Sequence, residues 1–137
     1  MKRSMMKLLI AAGMCFGVSL IQAGFCQEAS SLEVHDSAVC LNVENRACVD
    51  AKEEFSADVG KLFCFTRITG AKGDAEVTHV WYFGEIERFR ITLPVRTASY
   101  RTYSNKQIQP NEVGGWHVDI LGPDGKILKT VSFKIVP

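Results

Sequence analysis

Residues 75–95 read Ala75-Glu76-Val77-Thr78-His79-Val80-Trp81-Tyr82-Phe83-Gly84-Glu85-Ile86-Glu87-Arg88-Phe89-Arg90-Ile91-Thr92-Leu93-Pro94-Val95. Val77, His79, Trp81 and Phe83 recur at every second position, and Phe89, Ile91 and Leu93 do so again, alternating with Arg88 and Arg90. Successive side chains of an extended strand point to opposite faces. This period of two therefore predicts two strands, each with one face turned to a core, and Gly84-Glu85 permits the tight antiparallel reversal between them. Pro94 cannot donate to a ladder and ends the pairing of the second strand on one edge.

Outward from this hairpin the same pattern continues in both directions. Gly60 to Thr69 is apolar on both faces, with Leu62, Cys64 and Ile68 on one and Phe63 and Phe65 on the other, as befits the middle of a sheet. Gly70 to Asp74 is a turn, Leu32 to Val43 is an earlier strand, and the polar connection from Glu44 to Asp58 has room for one helical turn. On the C-terminal side, Ser99 to Lys106 is a polar and aromatic strand. Trp116, Val118 and Ile120 alternate with His117 and Asp119, and Pro123-Asp124-Gly125 turns the chain into a last strand from Lys126 to Val136. Lys129 breaks the phase of Ile127, Val131, Phe133 and Ile135, which predicts a bulge or an edge position. About seven strands with frequent reversals and no long helical periodicity predict an all-β, immunoglobulin-like antiparallel sandwich.

The first 26 residues have a different character. Lys2, Arg3 and Lys7 precede an uncharged run from Leu8 to Ile21, and Gly24-Phe25-Cys26 puts small residues where a signal peptidase needs them. The expected organisation is a signal peptide over residues 1–26 and one domain over 27–137, located in the periplasm or secreted. Removing the signal leaves 13 basic against 15 acidic residues, a net charge of −2. That balance argues against nucleic acid as a partner, since a phosphate backbone calls for a basic excess or stripe. No membrane span is expected in the mature chain.

Cys40, Cys48 and Cys64 remain after cleavage, an odd number in an oxidising compartment. Cys40 with Cys64 is the expected disulfide, because both sit in strand-like segments that could face each other across a sandwich. Cys40 with Cys48 is the local alternative. No Cys-x-x-Cys pair or suitably spaced histidine points to a metal. His35, His79 and His117 lie on separate strands, and no linear nucleophile or phosphate-loop motif accompanies them, so neither catalytic residues nor a cofactor are expected. His79 shares a face with Trp81, a position that suits a hydrogen-bonded core histidine as well as a ligand contact. The remaining constellation is aromatic and basic. Trp81, Tyr82, Tyr100, Arg101, Tyr103, Lys106 and Trp116 fall on neighbouring strands and could stack on and hydrogen-bond a sugar or peptide.

The ordered series Cys64-Phe65-Thr66, Thr78-His79-Val80-Trp81-Tyr82, Leu93-Pro94-Val95, Arg101-Thr102-Tyr103-Ser104-Asn105-Lys106, Gly115-Trp116-His117-Val118 and Asp124-Gly125-Lys126 resembles the bacterial domain-of-unknown-function family 2914. The resemblance runs from about Cys40 to Phe133 and implies an envelope-associated domain with no known activity or ligand. The family motif has Trp where Tyr103 stands and Pro near Cys48, which implies that Cys48 is the unpaired cysteine. A shared functional surface would map to His79, Trp81, Arg101, Ser104, Lys106 and Trp116. The expectation is thus a non-catalytic binding module of the bacterial envelope with a glycan or protein partner. The alternatives are a structural accessory subunit of an envelope complex and, less favoured, a hydrolase or metal-dependent enzyme. A groove lined by Trp81, Arg101 and Tyr103 would favour ligand binding, and full burial of both tryptophans the accessory role.

Overall fold

Nine strands and no helix make up residues 31–137, the part that the computed structural model describes. The expected signal peptide and its cleavage site lie outside the described residues. The strands are β1 (Glu33–Glu44), β2 (Ala47–Ala51), β3 (Glu54–Ser56), β4 (Lys61–Thr69), β5 (Ala75–Phe83), β6 (Ile86–Val95), β7 (Ser99–Gln107), β8 (Gly114–Leu121) and β9 (Ile127–Val136). One sheet has the order β2-β1-β4-β7 and the other β3-β9-β8-β5-β6. All neighbours are antiparallel except β3 with β9. Setting aside the short β2 and β3, the orders β1-β4-β7 and β9-β8-β5-β6 are strands A-B-E and G-F-C-C′ of an immunoglobulin-like sandwich, and Trp81 is the buried tryptophan of strand C.

Alternation builds the core as the sequence predicts. Val77, His79 and Trp81 of β5, Trp116, Val118 and Ile120 of β8, and Leu62, Cys64, Thr66 and Ile68 of β4 are all buried between the sheets. Phe133 joins three rings at the centre, edge-on to Phe55 and Trp81 and stacked on Trp116. The ladder of β9 slips between Ile120 and Leu121, whose partners are Lys129 and Ile127, so the expected irregularity near Lys129 is present.

Two expectations need correction. The connection from Glu44 to Asp58 holds strands β2 and β3 rather than a helical turn. The disulfide joins Cys40 to Cys48, with Cα atoms 5.7 Å apart, and Cys64 is a buried free thiol. The register explains why Cys40 cannot reach Cys64. Both lie in one sheet, where Cys64 stands opposite Val39 and Cys40 opposite Phe63. Their side chains therefore leave opposite faces of that sheet.

The hairpin that carries Cys48 turns at Asn45 and Arg46, with φ of 53° and 60°. Two successive left-handed residues are the geometry of a type I′ turn, whose second place is usually glycine. Arginine there costs about 1–2 kcal/mol, because its Cβ crowds the following carbonyl. The disulfide ties this hairpin back onto β1.

Candidate functional site

Four side chains singled out from the sequence meet inside the sandwich and are out of a ligand's reach. His79, Trp81, Ser104 and Trp116 are all buried. Three of them belong to a hydrogen-bonded chain across the two sheets. Trp81 Nε1 donates to Ser104 Oγ at 3.0 Å, Ser104 Oγ lies 2.6 Å from His79 Nδ1, and His79 Nε2 lies 3.2 Å from Thr66 Oγ1. Thr66 Oγ1 in turn donates to the carbonyl of Thr102 at 3.5 Å.

One arrangement of protons satisfies every member. Ser104 accepts from the indole, so its own proton goes to Nδ1. The imidazole then carries its proton on Nε2 and gives it to Thr66, whose hydroxyl proton goes to the carbonyl. A second proton on the ring would leave the Ser104 hydroxyl without an acceptor. Burial acts in the same direction and pushes the His79 pKa from its usual 6.5 down to about 4. His79 is therefore a neutral structural link between β5, β4 and β7. Cys64, opposite Ser104 in the β4–β7 ladder, is pushed up to about 12 by burial and is an inert thiol.

The exposed half of the predicted set lies on β7. Arg101 and Tyr103 project from the outer face of the β2-β1-β4-β7 sheet, where Tyr103 is 48% exposed and its ring centroid lies 5.9 Å from that of Phe63. Lys106 falls on the other parity and donates from Nζ to the carbonyl of Gln107 at 2.7 Å. Trp81 and Arg101 thus do not share a groove.

Sequence alternation places Arg88 with Arg90 on a solvated face; both are exposed, but Arg88 also reaches a buried carboxylate. The ladder slips between Trp81, opposite Phe89, and Tyr82, opposite Glu87, which leaves Arg88 as the bulged residue. Its guanidinium lies 5.5 Å from the Phe83 ring centre and 2.8 Å from the carboxylate of buried Glu112. Glu112 also accepts from the Gln109 amide at 2.8 Å, and its carbonyl accepts from Trp116 Nε1 at 3.0 Å. Arg90 instead forks onto exposed Glu87, whose hydrogen bond and charge hold that carboxyl below its usual range.

His117 stacks on Tyr82 at 4.7 Å and stands 4.0 Å from Asp119, whose Oδ1 already accepts from Thr130. Among the described residues no group of three His, Cys, Asp or Glu side chains is arranged to hold a metal ion. No helix among them is long and apolar enough to cross a membrane.

Residues 74–135 match the family described as Protein of unknown function (DUF2914). The match bears out the resemblance seen in the motifs over a shorter span than Cys40 to Phe133. It covers β5 to β8 and nearly all of β9, and leaves β1 to β4 with Cys40, Cys48 and Cys64 outside. No curated protein matches the chain.

Proposed function

We propose that this chain, with residues 74–135 matched to a family of unknown function, is an exported, non-catalytic interaction module of the bacterial envelope. Its binding face is the outer surface of the β2-β1-β4-β7 sheet. The observation that carries this reading is the division of the predicted site. Groups with nucleophilic or basic chemistry, His79 and Ser104, are committed to a closed network in the core. Arg101 and Tyr103 project from a face supported by Phe63. A flat exposed ring beside a guanidinium that makes no ion pair among the described residues suits a sugar ring or a peptide.

The test is a panel of envelope glycans, peptidoglycan fragments and peptides titrated onto the exported protein, with Tyr103→Ala as the control. Saturable binding that Tyr103→Ala weakens supports the face. Binding that this variant leaves unchanged refutes it.

A second reading, an accessory subunit docked through a sheet edge, draws on the full burial of both tryptophans and on β6. That edge strand exposes Ile86 at 61% and Phe89 at 36%. Ile86→Lys with Phe89→Lys would abolish such docking and leave glycan binding intact.

A further inference from the structure

At one end of the proposed face lies a cleft of about 350 Å³ lined by Arg46, Arg67, Thr97, Ser99, Tyr100 and Arg101. Its three guanidinium groups come from the β1–β2 turn, β4 and β7. Arg67 and Arg101 stand directly opposite each other in the β4–β7 ladder, where like charges repel. Little in the protein offsets this. Arg67 approaches exposed Asp36 at 3.8 Å and donates from Nε to Ser99 Oγ at 3.1 Å. Arg46 and Arg101 make no ion pair or side-chain hydrogen bond among the described residues.

A second observation is independent of charge. Arg46 occupies the left-handed turn position that glycine fills at least cost, and the hairpin presenting it is held by the Cys40–Cys48 disulfide. Strained backbone that persists at a ligand-sized cleft is a pointer to function.

We propose that this cleft binds the oxyanion of an acidic sugar, a carboxylate or a phosphate carried on a hydroxylated ring. Guanidinium forks match the planar or tetrahedral oxyanion geometrically as well as electrically. Thr97 Oγ1 donates to the carbonyl of Ser99 at 2.9 Å and keeps its lone pairs, so it and Ser99 bring hydroxyls to the cleft for the sugar, while Tyr100 lines it from the inward side of β7, packed against the core. Tyr103 lies two residues beyond Arg101 on the same side of β7, one strand repeat away, and offers its ring to the sugar face. The inference rests on the outer sheet face being the binding face and adds the ligand class. Arg46 and Arg67 fall outside the segment matched to the family, so the complete site belongs to this chain rather than to the matched segment.

The experiment titrates the oxidised, exported protein with glucuronate, glucose 6-phosphate and glucose, following backbone amides by NMR at low and high salt. Both acidic sugars are expected to shift Arg46 and Ser99 to Tyr103 saturably, at least tenfold more tightly than glucose and more weakly at high salt. Arg101→Gln and Arg46→Gly should each weaken binding about tenfold, and Arg46→Gly should melt no lower than the wild type, which separates lost binding from lost folding. Cys48→Ser should weaken binding by releasing the hairpin.

Glucose binding as tight as glucuronate would overturn the anion assignment and leave the face standing. A response to phosphatidylglycerol vesicles with none to either sugar would overturn it in favour of a lipid surface. Silence toward both acidic sugars would also overturn it, while the panel with Tyr103→Ala decides the face separately.

Discussion

Acidification should unfold this domain through His79, and the size of the effect follows from its surroundings. The folded state holds the ring neutral, with a pKa of about 4 against an ordinary 6.5. The unfolded chain therefore takes up a proton below pH 6.5 that the folded chain refuses until about pH 4. The stability is fully present above pH 6.5, falls as the pH drops through that window, and levels off beneath it. Linkage gives a loss of about 1 kcal/mol between pH 7 and 5.5 and about 3 kcal/mol by pH 4. The latter corresponds to about 1–2 M in the urea midpoint. Carboxylates titrate in the same range, so the measurement is a difference. Urea unfolding of wild type and His79→Gln is followed by tryptophan emission, since Trp81 and Trp116 are both buried. At pH 7 the variant should be less stable by about 1–3 kcal/mol, because glutamine cannot satisfy Ser104 and Thr66 together. The gap should close or reverse by pH 4. Parallel curves across the whole range would refute the neutral, network-bound histidine.

Arg88→Ala strands the Glu112 carboxylate. It should cost about 2 kcal/mol by thermal or urea unfolding, at the low end for a broken pair because Arg88 is partly exposed, and Arg88→Met with Glu112→Gln should recover part of it. Non-reducing peptide mapping should find Cys40 joined to Cys48, and Cys48→Ser should lower stability by about 2.5 kcal/mol in the chain-entropy model for so short a loop. Cys64 should resist N-ethylmaleimide in the native protein and react once urea unfolds it, as intact mass will report. Rapid native labelling would mean that the core opens easily.

What the sequence discloses and what it hides divide along a physical line. Alternation is a local property, so β4, β5, β8 and the Val131, Phe133 and Ile135 part of β9 could be read directly, including the shared face of Val77, His79, Trp81 and Phe83, whereas at the β9 irregularity Leu128 packs on the core and the in-phase Ile127 is exposed. A bulge breaks alternation by one residue without any change in composition, and the reach of partly exposed Arg88 to buried Glu112 was therefore invisible. The network of Thr66, His79, Trp81 and Ser104 joins three strands from two sheets, and only the register brings those atoms together.

The disulfide had the larger consequence. Pairing Cys40 with Cys64 reads the two cysteines as a staple across the core, and that choice leaves the segment from Glu44 to Asp58 as mere connection. Pairing Cys40 with Cys48 makes the same segment a hairpin fastened to the sheet, with Arg46 at its tip beside Arg67 and Arg101. The arginines are far apart in sequence and look like ordinary surface charges one at a time. The proposed convergence depends on a short covalent loop, so in this chain the oxidation state of two cysteines and the charge of the proposed binding face form one structural question. Reduction should then loosen Arg46 from the cleft while the sandwich core, which contains neither bonded cysteine on its inner face, stays folded.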